Sequence, residues 1–211
     1  MGLIRTLAAP WPERSLPMQN DTLLYALAVP AADLPERFQS LDELEEFCHR
    51  ATNPTGPDFL SHAMSGLSLN HCYFTVMNEV VEMAALKPLE FLNGQRCDDA
   101  FEREDRDSAL AVCQLDTDEI PAVIDALRDL LNLQEPWFNV FFAALEPFDA
   151  DMEEVGEAYD MADVNMHLNH GLGIGGDSPF FIFRALKTLL AVCQHAFQDG
   201  LHVLYVVECE H

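Results

Sequence analysis

The chain has 211 residues, of which 36 are Asp or Glu and 11 are Lys or Arg, so its formal net charge is −25 at pH 7 and its pI is near 4.3. That balance argues against a binder of nucleic acid or of anionic membrane surfaces, both of which reward Lys and Arg rather than carboxylates. Hydrophobic residues make up 49%, including 14 Phe, and mean hydropathy is +0.01, which excludes an intrinsically disordered chain.

One domain spanning 1–211 is expected at this length, with 1–20 irregular and about 70% of the unfolded surface buried. Its natural charged partners are basic proteins, cations or cationic ligands, although negative charge also serves simply to keep a protein dispersed. Six cysteines at 48, 72, 97, 113, 193 and 209 include no C-x-x-C pair. They are too sparse for a disulfide scaffold. Cys113, Cys193 and Cys209 lie in apolar runs, where thiols behave as small hydrophobes, so a reduced, cytoplasmic compartment is expected. The opening "MGLIRTLAAPWPERS" has no long apolar stretch, and no apolar run is expected to approach the roughly 18 residues that span a bilayer. Gly2 and Thr6 stand at a myristoylation spacing, but Pro10, Trp11 and Pro12 add no second membrane signal.

After the prolines at 10, 12 and 17, "DTLLYALAVP" (21–30) reads as a buried strand closed by Pro30. "SLDELEEFCHRAT" reads as a helix with Ser40 as N-cap and Glu43 as its capping-box partner. Leu41, Leu44 and Phe47 fall on its inner side and acids on its outer face. "NPTGP" (53–57) is a loop by composition. His71 to Leu86 is apolar on more than one face and predicts a central helix stopped by Lys87-Pro88; 93–107 predicts a polar surface loop, and "SALAVCQL" (108–115) a second buried strand. In "DTDEIPAVIDALRDLLN", Asp118 is a candidate cap, Pro121 falls in the first turn, and Ile120, Val123, Ile124, Leu127 and Leu131 make one apolar stripe. The last unit is a buried helix with Ser178 as N-cap, Pro179 at its first position and Gly200 beyond its end, followed by a strand from Leu201 to Val207. With no repeat and no convincing linker, the expected fold is α+β: a single compact domain with several helices packed on a small sheet.

"NMHLNHGLGIGGDSPFF" (165–181) places His167 and His170 three apart, ahead of Gly171, Gly173, Gly175 and Gly176. The glycine order does not fit a phosphate-binding fingerprint, no Lys follows, and Asp177 would set a negative charge where a phosphate should sit. A loop feeding a capped helix is the simpler reading. His167 and His170 could share a metal if Asp163 or Asp177 joined them, yet neither H-E-x-x-H nor H-x-H is present. The adjacent pairs Cys48-His49 and His71-Cys72 point about 100° apart on a helix and make no dyad. "DADMEE" from Asp149 begins like a calcium loop, but Glu154 stands where glycine is needed and Asp160 where glutamate is.

The strongest signal is a charge gap. Between Arg128 and Arg184 there is no Lys or Arg, and the 55 intervening residues hold 11 carboxylates, eight of them between 146 and 163: Glu146, Asp149, Asp151, Glu153, Glu154, Glu157, Asp160 and Asp163. If 152–162 is helical, Met152, Val155 and Tyr159 form an inward stripe and Glu153, Glu157 and Asp160 an acidic ridge. Like charges three and four apart cost about 0.2–0.5 kcal/mol each, and Gly156 up to about 1 kcal/mol. Such a ridge weakens its own helix, so helix stability does not explain it.

A cationic partner would explain it, steered by the carboxylates and anchored by Phe148, Met152, Tyr159, Met161 or Trp137-Phe138. The expected function is a non-enzymatic, cytoplasmic binding protein that needs no cofactor. It would occlude a basic surface or cleft of a partner protein, in the manner of an immunity protein or antitoxin-like inhibitor. Two alternatives are a hydrolase, metal-assisted or using a histidine and a carboxylate from 160–177, and a nucleic-acid mimic that competes for a DNA-binding protein. The Phe-rich segments leave room for a homodimer.

Overall fold

The computed structural model describes residues 21–35, 38–53, 55–60, 63–93, 109–162 and 179–209. In chain order these hold β1 (Asp21–Val29), α1 (Leu41–Thr52), β2 (Ala63–Asn70), α2 (His71–Met83), β3 (Ala109–Leu115), α3 (Ile120–Leu131), α4 (Glu135–Leu145), α5 (Met152–Met161), α6 (Pro179–Asp199) and β4 (His202–Cys209). The strands form one antiparallel sheet in the order β2-β1-β4-β3. The fold is α+β, as the sequence pattern predicts.

Side chains alternate across the two central strands and feed two cores. Leu24, Ala26 and Ala28 of β1 and Val203, Tyr205 and Val207 of β4 join the larger core with α2 to α6, while Leu27, Val29, Leu204 and Val206 meet Phe38, Leu44, Cys48 and Ala51 beneath α1. Burial on both faces is why "VLYVV" (203–207) is a continuous apolar run rather than an alternating one. The centre of the larger core is α6, whose Ile182, Phe183, Val192 and Cys193 are fully buried. Phe183 packs on Phe141 of α4 with ring centroids 4.7 Å apart, and Phe91 meets Tyr205 edge-on at 5.1 Å. Each large apolar side chain so buried contributes about 1.5–3 kcal/mol. By length and mean hydropathy α6 also matches a bilayer-spanning helix, but here it contacts α3, α5 and β1 as the core helix.

Local signals set most element ends. Ser40 Oγ accepts the Glu43 N–H at 3.2 Å, and the Glu43 carboxylate reaches back to the Gln39 N–H at 2.7 Å, one residue beyond the N-cap N–H that the usual capping box engages. Helix α6 starts at Pro179 and ends with Gly200 at φ 66, where the Leu201 N–H donates to the Ala196 carbonyl at 2.8 Å. This is a Schellman close.

Two expectations need correction. Asp118 does not cap α3: the cap position is Glu119, which makes no side-chain cap bond and instead accepts the Asp116 N–H at 3.2 Å, tightening the preceding turn. Helix α2 stops at Met83, ahead of Lys87-Pro88, because Ala85 turns left-handed at φ 53; the Leu86 N–H bonds the Val81 carbonyl at 3.2 Å, and a 3-10 segment (Lys87–Asn93) follows. Strand β2 and helix α4 carried no expectation at all. The polar loop expected over 93–107 lies, beyond Asn93, outside the described residues.

Candidate partner-binding surface

The charge-gap segment is built from α5 and the turn before it. A short 3-10 turn (Glu146–Phe148) ends on Asp149 at φ 60, which swings the chain into α5. Asp151 is the N-cap, its carboxylate accepting the Glu154 N–H at 2.7 Å. Carboxylates in this first turn also suit the positive end of the helix dipole. Since α5 begins at Met152 and Asp151 is used as its cap, "DADMEE" is a helix start and not a calcium loop.

Helical spacing then sorts the side chains. Val155 and Ala158 face the core with Ala162 just beyond, and Tyr159 is half-buried. Glu153, Glu157 and Asp160 point outward and are exposed, as are Glu146, Asp149 and Asp151; Glu154 is intermediate. Among the described residues none of Glu146, Glu153, Glu154, Glu157 and Asp160 makes an ion pair. Met152 does not join the inward stripe. It is 44% exposed and Met161 is 70% exposed, and they flank the carboxylates on opposite sides of the helix.

The inner side of α5 is held by aromatic contacts. Tyr159 Oη donates to the Leu131 carbonyl at 2.9 Å, its ring meets Phe183 edge-on at 5.4 Å, and Lys187 Nζ lies 3.9 Å from its centroid. Tyr159 thus turns inward rather than toward a partner. Phe148 packs against the main core with Tyr73 6.1 Å away, and Phe138 lines Gly156, so these rings are scaffold more than anchor. Nearby cations are used elsewhere: Arg128 stands 3.9 Å from Asp125, an exposed pair of little energetic weight, and Arg184 lies over Phe180. Among the described residues Lys187 folds back onto α5, and it does so at a carbonyl. No reading of a charge gap marks it, because it lies beyond the gap and its target is backbone.

Asp163, His167, His170 and Asp177 lie outside the described residues, so neither the metal reading nor the hydrolase reading is placed by this geometry. Among the described residues no three His, Cys, Asp or Glu side chains cluster as a metal site. A second polar cluster does form: His202 Nδ1 is 3.0 Å from Asp116 Oδ1, with Gln114 Nε2 bridging the two, where β3 ends beside the start of β4. Cys48, Cys113 and Cys193 are buried without disulfides, and burial pushes the Cys193 thiol up to about 12. Cys48 belongs to the smaller core while His49 faces solvent, so the pair forms no dyad. Comparison with protein-family models, with curated proteins and with solved structures finds no match to this chain.

Proposed function

We propose that the protein is a non-enzymatic, cytoplasmic binding protein whose α5 face occludes a basic surface or active-site cleft of another protein, as an immunity protein or antitoxin-like inhibitor does. One observation carries this reading: the outer face of α5 presents Glu153, Glu157 and Asp160 with no ion pair among the described residues, between two exposed methionines. Carboxylates steer and select a cationic partner, and adaptable thioethers supply apolar contact without demanding one shape. Glu146, Asp149, Asp151 and Glu154 extend the same negative field. Enzymes that act on nucleic acids or nucleotides expose cationic clefts, which makes them the partner class with matching charge. Cysteines packed as small core residues fit a reducing compartment.

The test is affinity capture from native lysate with the wild-type chain and with a Glu153→Lys, Glu157→Lys, Asp160→Lys variant. A basic protein retained at one-to-one ratio by wild type, released by salt and lost with the variant supports the reading. Equal recovery on both baits refutes it. A captured DNA-binding protein would favour the nucleic-acid mimic, in which the same face serves a different partner.

A further inference from the structure

Helix α5 is poorly equipped to stand alone. It contains Gly156, repels itself at the Glu153/Glu157 and Glu157/Asp160 spacings, and includes no Lys or Arg. Only Val155 and Ala158 within it are buried. A helix with so small an apolar footprint opens locally unless something else holds it.

Lys187, at the middle of α6, supplies that hold. Its Nζ donates to the Tyr159 carbonyl at 2.6 Å. This carbonyl lies in the last turn of α5, where no helical N–H is available to it, and where a positive charge also opposes the negative pole of the helix. The same ammonium sits 3.9 Å from the Tyr159 ring centroid, and that ring is fixed by the Leu131 carbonyl of α3 and by Phe183 of α6. One cation therefore caps α5, stacks on its only aromatic residue and ties both to the core helix.

We propose that Lys187 is a positioning residue: it latches α5 in its helical, docked state, and thereby presents the carboxylate face. The latch follows from the contacts just given, while its importance for a partner rests on the proposed function. Without it the segment 152–162 opens as a unit and the sheet stays folded.

Hydrogen exchange of the purified full chain, read by mass spectrometry, tests the latch. In Lys187→Met, amides of 152–162 should exchange about tenfold faster while those of β1 and β4 are unchanged, and Lys187→Arg should restore most of the protection. Unchanged protection of 152–162 overturns the proposal, as does a loss shared equally by β1 and β4. Lys187→Gln, which keeps a donor but no charge, gives an intermediate loss and serves if the methionine variant fails to fold. Oligolysine binding at low salt separates the two layers. Lys187→Met makes the protein more negative, so charge alone predicts tighter binding, whereas loss of the ordered face predicts weaker binding. If exchange responds but oligolysine binds equally after Glu153, Glu157 and Asp160 are reversed, the latch stands and the proposed function fails.

Discussion

Replacing Ala85 by glycine should stabilise the protein, and replacing Gly200 by alanine should destabilise it by a similar amount. Both residues occupy the same place in the same motif: each follows a helix, each is left-handed (φ 53 and φ 66), and each is followed by a leucine whose N–H bonds back, Leu86 to Val81 and Leu201 to Ala196. An L-residue in this region costs about 1–2 kcal/mol, from which glycine's greater freedom in the unfolded chain subtracts about 0.5–1 kcal/mol. The exposed Ala85 methyl adds little burial, and a Cβ at Gly200 would meet nothing within 4 Å, so the backbone alone sets both effects. The net expectation is about 0.5–1 kcal/mol in opposite directions. For a protein of this size that moves Tm by about 1–4 °C. Urea unfolding of the two variants, with unchanged slope, measures it; an Ala85→Gly protein less stable than wild type would refute the reasoning.

Gly156→Ala places a Cβ at ordinary contact distance, 3.7 Å, from the Phe138 ring, so α5 should gain up to about 1 kcal/mol of helix stability, visible as slower amide exchange in 152–161. Cys193 should resist alkylation in the folded protein at mildly alkaline pH. Because burial raises its pKa from 9.0 to about 12, its contribution to stability is complete below the lower value and is lost as pH rises toward the upper one. Wild type should therefore lose stability more steeply than Cys193→Ala over that window, and parallel curves would count against it. A net charge of −25 predicts that thermal stability rises with NaCl, since screening relieves self-repulsion; a flat or falling Tm would show that the carboxylates are not mutually destabilising.

The parts of the fold that were legible in the sequence are those whose ends and faces are decided locally. Ser40 with Glu43, Pro179 with Gly200, and the stripe from Ile120 to Leu131 each carry their own start, stop or periodicity. Strand β2 does not. "AMSGLSLN" is diluted by Ser65, Gly66 and Ser68, and it is a strand because β1 pairs with it, across a register shift between Leu24 and Ala26. Helix α4 escapes for the opposite reason: "EPWFNVFFAAL" is apolar nearly all round, so no face stands out until α2, α5 and Phe183 surround it. At the candidate surface, acid spacing gave the outward face of α5 correctly. Met152 was misplaced because hydrophobicity alone does not separate a core position from the flank of the ridge.

The two strands at the centre of the sheet, β1 and β4, are the first and last of the described chain, and they pair along nearly their whole length from Thr22↔Cys209 to Val29↔His202. Among the described strands, β1 has only β2 to pair with until β4 has been made, and β3 has no described neighbour in the sheet before then. A chain arrested before β4 would hold a two-stranded ribbon, a lone apolar strand and exposed helix faces, so chaperone capture or proteolysis is the expected fate of incomplete copies. Pairing of β1 with β4, across most of the described chain, makes closure of the sheet a long-range event, which slows folding relative to a fold built from local contacts.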